Sequence, residues 1–74
     1  MFEKVKKVIT DNFDVNEKDV TPEAELSKDL KINSLQLADL IFACEEEFEI
    51  EIEEKAIKKL ITVADLVAYL ETKV

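Results

Sequence analysis

The chain is rich in carboxylates and lysines, 18 acids against 10 bases, and poor in the side chains that most often act as nucleophile or general base. There is no histidine, which removes the commonest general base and metal ligand. The one cysteine, Cys44, falls on an apolar helical stripe and reads as a small buried hydrophobe rather than a nucleophile. Ser34 stands at a readable helix start, in the run Asn33-Ser34-Leu35-Gln36. Asn33 is a favoured N-cap residue, and Gln36 stands three positions on, where it completes a capping box. Ser34 is then the first residue of a helix and faces solvent. A helix N-terminus carries unpaired N–H groups and positive partial charge, so a phosphodiester on Ser34 would sit where the backbone stabilises an anion. On spacing alone, an ordinary helix-start serine is the plainer reading. A catalytic serine is the weakest, because Lys31 is the sole nearby base and no oxyanion motif accompanies it.

Metal chemistry finds little support. Asp14, Asn16 and Glu25 fall at the first, third and twelfth positions of a calcium loop, but Lys18 and Asp19 stand at the fifth and sixth, where an acid or amide and a glycine are needed. No discrete metal site is expected. Diffuse binding of Mg²⁺ or Ca²⁺ along the acidic stretch, relieving like-charge repulsion, is the reading that remains.

The helix that begins at Ser34 has two distinct faces. Leu37, Leu40, Ile41, Cys44 and Phe48 form its core stripe. At 100° per residue, Leu35, Asp39, Phe42 and Glu46 form a ridge on the opposite side, with two large apolar side chains alternating with two carboxylates. Either this ridge is a docking surface, or Phe42 packs beneath a neighbouring loop. Charge favours a protein partner. The segment from Asn33 to Glu54 holds eight of the chain's 18 acids and none of its 10 bases, so the whole net charge of −8 sits there. Phosphate backbones would be repelled, which argues against nucleic acid. A basic protein surface is the natural complement.

Three further amphipathic patterns position this helix. Phe2, Val5, Ile9 and Phe13 mark a first helix; Ala56, Ile57 and Leu60 mark a short one within Glu53 to Leu60; Val63, Leu66, Val67, Leu70 and Val74 mark the last, capped by Thr62 with Asp65 at N3. Asp14 to Asn33 form a connection of about 20 residues with apolar anchors at Val15, Val20, Leu26, Leu30 and Ile32, expected to pack on the bundle. Gly is absent and Pro occurs once among 74 residues, which favours helices over hairpins. The predicted fold is all-α: a small four-helix bundle with a long loop between helices one and two and a short third helix, one domain over 1–74. No apolar run is long enough to span a membrane, no signal peptide opens the chain, and a monomeric cytoplasmic protein is expected.

The residues from Asn33 through Ile52, with Ser34-Leu35 placed 14 positions before Phe48 and followed by Glu45-Glu46-Glu47-Phe48-Glu49-Ile50-Glu51-Ile52, resemble the modification site and second helix of acyl carrier proteins. The length, the long loop, Thr62 to Asp65 at the start of the last helix, and Tyr69-Leu70 near its end extend the resemblance over the whole chain. It implies that Ser34, flanked by Asn33 and Leu35, receives 4′-phosphopantetheine from coenzyme A through a phosphopantetheinyl transferase. It implies a carrier of thioester-linked acyl groups, not an enzyme. By the same resemblance Leu35, Asp39, Phe42, Glu45 and Glu46 meet basic patches on acyl-transferring and fatty acid synthesis enzymes. Leu40, Ile41, Cys44, Ile57 and Leu66 would shelter the acyl chain. Two positions depart from the family: Asn33 replaces the usual Asp, and the glycine usually found just upstream is missing from Leu30-Lys31-Ile32. A specialised carrier of a polyketide or peptidyl/aminoacyl pathway is the alternative within the class. An unmodified acidic interaction module is the alternative outside it.

Overall fold

The computed structural model describes residues 1–73; Val74, expected to end the stripe of the last helix, lies outside them. Four α-helices and one 3₁₀ turn occur among the described residues: α1 (Phe2–Asn12), the turn at Glu17–Asp19, α2 (Ser34–Phe48), α3 (Glu54–Ile57) and α4 (Val63–Lys73). The all-α bundle with a long first loop and a short third helix is as the sequence predicts.

α1 buries Val5, Val8 and Ile9 and packs chiefly on α2, with α4 on its other flank. Phe13, assigned to this helix by its spacing, lies beyond it in extended backbone (φ −134°, ψ 152°). Phe13 serves as the C-cap, its N–H still donating to the Ile9 carbonyl at 2.9 Å, while Asn12 Nδ2 donates to the Val8 carbonyl at 2.8 Å, engaging a last-turn acceptor. Phe13 stays half-buried against the core all the same.

α2 buries Leu40, Ile41 and Cys44, with Leu37 and Phe48 half-buried at the stripe's ends. It ends at Glu49, which takes a left-handed conformation (φ 55°) while its N–H bonds back to Glu45. α3 falls within the predicted range, as a single turn. Ala56 and Ile57 are half-buried rather than buried, and Leu60, which is buried, lies past its end. The chain there tightens into i→i+3 hydrogen bonds, Lys59 N–H to Ala56 and Leu60 N–H to Ile57, which continue the turn but not the α-helix.

α4 begins at a capping box built with an aspartate. Thr62 Oγ1 accepts from the Asp65 N–H at 3.1 Å, and Asp65 Oδ2 accepts from the N–H groups of Thr62 (3.0 Å) and Ile61 (3.1 Å). These donors hold the Asp65 carboxyl below the ordinary aspartate range. Its stabilising contribution is therefore present above the unfolded-state pKa and is lost as pH falls through the folded one.

The long loop is pinned at both ends. Val20, Leu26, Leu30 and Ile32 are buried as predicted, and Val15 is half-buried. An isolated antiparallel bridge pairs Glu25 with Thr62. Leu26 N–H donates to Ile61 (2.9 Å), Val63 N–H to Ala24 (2.9 Å) and Ala64 N–H to Pro22 (2.9 Å), so the loop is stitched to the start of α4. Asn16, a calcium ligand in the loop-mimic reading, instead caps the 3₁₀ turn by accepting from the Lys18 N–H at 2.9 Å. Near the loop's end, Ile32 N–H returns to Leu26 (2.9 Å) across Lys31, which is left-handed (φ 57°). Lys31 lies in the stretch where the family resemblance implies a glycine, and at positive φ it carries the Cβ penalty that glycine avoids. Lys31→Gly is expected to raise stability by about 1 kcal/mol, a Tm increase of about 4–8 °C, whereas Lys31→Ala gains nothing because it keeps the Cβ. Thermal and urea melts of the three proteins check this; a glycine variant melting at or below the parent contradicts it.

Candidate functional site

The site is organised by the first turn of α2. Asn33 sits in extended backbone (φ −83°, ψ 180°) and closes a full capping box: its Oδ1 accepts from the Gln36 N–H at 2.8 Å, and Gln36 Oε1 accepts from the Asn33 N–H at 3.1 Å. Two of the donors near the helix start are thereby used. The N–H groups of Ser34 and Leu35 make no hydrogen bond among the described residues. Ser34 is exposed at the first helical position, so its hydroxyl stands free beside two available N–H donors and the positive helix end. A phosphodiester on Ser34 Oγ fits this arrangement without displacing any protein contact.

A groove of about 460 Å³ opens next to that hydroxyl. Leu26, Ser27 and Ile32 of the long loop form one wall, Leu37 and Ala38 of α2 the floor behind Ser34, and Ile57, Leu60 and Ile61 the opposite side. Of the five residues expected to shelter an acyl chain, Ile57 alone lines it. Leu40, Cys44 and Leu66 have no exposure, and Ile41 has 4%. Those four belong to the buried core of the bundle. The open space lies one layer outward.

The ridge on α2 faces solvent. Leu35 is 80% exposed and Phe42 60%, so Phe42 does not pack beneath the long loop. Asp39 and Glu46 are exposed beside them. Glu45 differs: it is half-buried, and its Oε2 accepts from the Ile52 N–H at 2.8 Å. One of its oxygens is committed to holding the approach to α3. This tie escaped sequence reasoning because the two residues belong to different elements. Ile61, 56% exposed at the groove's edge, is a third large apolar side chain in solvent, and no helical periodicity marked it.

Cys44 is buried, and burial first, then the charges of Glu45 and Glu47, pushes its thiol up to about 12. No group of three His, Cys, Asp or Glu residues able to hold a metal ion occurs among the described residues, and no described helix is long and apolar enough to cross a membrane.

An exposed serine at the start of a capped helix, beside a mainly apolar groove, is the arrangement expected of a carrier domain. The family model described as "Phosphopantetheine attachment site" matches residues 3–70. The chain is 44% identical over 71 residues to the acyl carrier protein of Helicobacter pylori strain J99, covering 96% of this chain and 91% of that one. It is 44% identical over 71 residues to the acyl carrier protein of Nitratidesulfovibrio vulgaris strain Miyazaki F, covering 96% and 93%. The chain belongs to the acyl carrier protein family. It is accordingly a carrier acted upon by modifying and acyl-transferring enzymes rather than an enzyme, and the family's prosthetic group is covalently attached 4′-phosphopantetheine.

The inert Cys44 separates two kinds of thiol. The unmodified folded chain is expected to leave a disulfide reagent such as DTNB unreacted at about pH 8, and to release one equivalent of chromophore in urea. The pantetheinylated chain should react with one equivalent while folded. Rapid reaction of the folded, unmodified chain contradicts the burial of Cys44.

Proposed function

We propose that Ser34 Oγ is the attachment point of 4′-phosphopantetheine, and that the chain is a single carrier domain over 1–74 that conveys acyl groups as thioesters in fatty acid synthesis. The observation that carries this reading is the exposed Ser34 hydroxyl at the first position of a fully capped helix, opening onto an apolar groove. The bound group supplies a terminal thiol at the end of a flexible tether. The chain's residues do the rest. Asn33 and Gln36 fix the helix start, so that the Ser34 and Leu35 N–H groups point at the phosphate position. Asn33 caps as an aspartate would but adds no negative charge beside the phosphate.

Leu26, Ile32, Leu37 and Ile57 offer apolar cover to the first carbons of a tethered chain. Each buried CH₂ gains about 0.8 kcal/mol, enough for reversible shelter. Leu35 and Phe42 supply apolar contact to a docking enzyme, while Asp39, Glu46 and the free oxygen of Glu45 attract its basic patch. Partners of this reading are a phosphopantetheinyl transferase and the acyl-transferring enzymes of fatty acid synthesis, meeting a cytoplasmic monomer.

Incubation with coenzyme A and a broad-specificity phosphopantetheinyl transferase is expected to add the mass of one arm, and Ser34→Ala to abolish the addition. Ser27, exposed on the same groove, is the internal control. An unchanged mass, or an arm retained by Ser34→Ala, overturns the assignment. Docking separates from folding in a second measurement. Leu35→Ala and Phe42→Ala are expected to change stability by no more than about 0.5 kcal/mol, yet to weaken capture by the transferase by about 1 kcal/mol or more in Kd. Unaltered binding in both variants would place the docking face elsewhere.

A further inference from the structure

Charge changes sign abruptly at α3. Every ionisable residue from Asn33 to Glu54 is acidic, and Lys55, Lys58 and Lys59 follow at once. The three lysines do not share a face. Lys55 and Lys59 line a second cavity between α3 and α4 beside Tyr69, whereas Lys58 lines the groove that holds Ser34. Lys55 is 3.9 Å from the Glu53 carboxylate, while Lys58 makes no ion pair among the described residues. Lys58 and Glu54 are the charged side chains of this groove. Glu54 opens α3 and Lys58 caps its C-terminal end, four residues on, so an anion entering the groove is drawn toward Lys58 and turned away from Glu54. Lys58 is exposed at this groove, beside the apolar side chains of Leu26, Ile32 and Ile61.

We propose that Lys58 is the anion-holding residue of the arm groove, its ammonium pairing with an anionic oxygen carried by the group on Ser34. Two oxygens have this chemistry: those of the phosphodiester at the arm's root, and the carboxylate of a dicarboxylic cargo at its tip. The proposal rests on the attachment at Ser34. In either case Lys58 is a positioning and selecting residue, orienting the arm along the groove or favouring a cargo with a terminal carboxylate.

Lysine footprinting tests it, with Lys55 and Lys59 as built-in references. The unmodified chain and chains bearing a free-thiol, octanoyl or succinyl arm, each loaded from the matching coenzyme A derivative, are treated briefly with an acetylating ester, and acetylation is read per residue by mass spectrometry. Intact mass reports loading separately, so failed attachment at Ser34 is distinguished from absent protection at Lys58. Lys58 is expected to react several-fold more slowly in an arm-bearing form while Lys55 and Lys59 keep their rates. Slowing in all three arm-bearing forms identifies the phosphodiester; slowing in the succinyl form alone identifies the carboxylate. Equal rates in every form, equal slowing of all three lysines, or slowing in the octanoyl form alone overturns the proposal. As a second readout, the Tm difference between the protecting form and the unmodified chain should persist in Lys58→Arg and shrink in Lys58→Gln; an identical difference in Lys58→Gln also overturns it.

Discussion

The long first loop depends on a short seam of backbone hydrogen bonds to the junction before α4. About 20 residues without a long helix of their own must be closed into a fixed path, and loop closure is opposed by chain entropy. The donations from Leu26, Val63 and Ala64 fix that path, and the buried side chains of Val20, Leu26, Leu30 and Ile32 reward it with apolar burial. The rest follows in order. A fixed Leu26 receives the Ile32 N–H, which brings the chain to Asn33 in the extended geometry an N-cap requires. The same seam places Leu26 and Ile32 opposite Ile57 and Ile61, so the groove is a product of the loop's docking rather than of any one helix.

What was legible in the sequence is local. Asn33 with Gln36, and Thr62 with Asp65, declare helix starts because donor and acceptor lie three residues apart, and both boxes form. The core stripe of α2 and the exposure of Leu35 and Phe42 follow from a period of 3.6 residues. What was not legible is decided across distance or by competition. Phe13 keeps the spacing of α1 but is its C-cap, where the backbone turns extended, and apolar spacing alone does not mark that turn. The Glu25–Thr62 bridge and the Glu45–Ile52 hydrogen bond join residues that no periodicity relates. The groove beside Ser34 was not legible for a similar reason: apolar spacing shows which side chains face inward, not how far the neighbouring elements stand apart. The missing glycine before Ser34 was visible, but its consequence, a lysine held at positive φ, required the path of the backbone.

The charge distribution is a compromise between fold and partner. Eight acids over α2 and its exit repel one another and oppose compaction. Part of that cost is offset where Glu45 spends an oxygen on the Ile52 N–H and so secures the approach to α3. The remaining carboxylates lie outward along the ridge, where salt screens them and where they guide encounter more than they hold a complex.

Placing Ser34 inside the first turn of a 15-residue helix, rather than on the loop before it, has a mechanical result. Whatever is tied to that oxygen is bolted to a stiff rod, with no hinge of the polypeptide's own at the root. Its sweep is set by the tether's length alone, and its direction by the heading of the rod, so the distance from a partner's footprint on α2 to that partner's reaction centre must match the tether like a gauge.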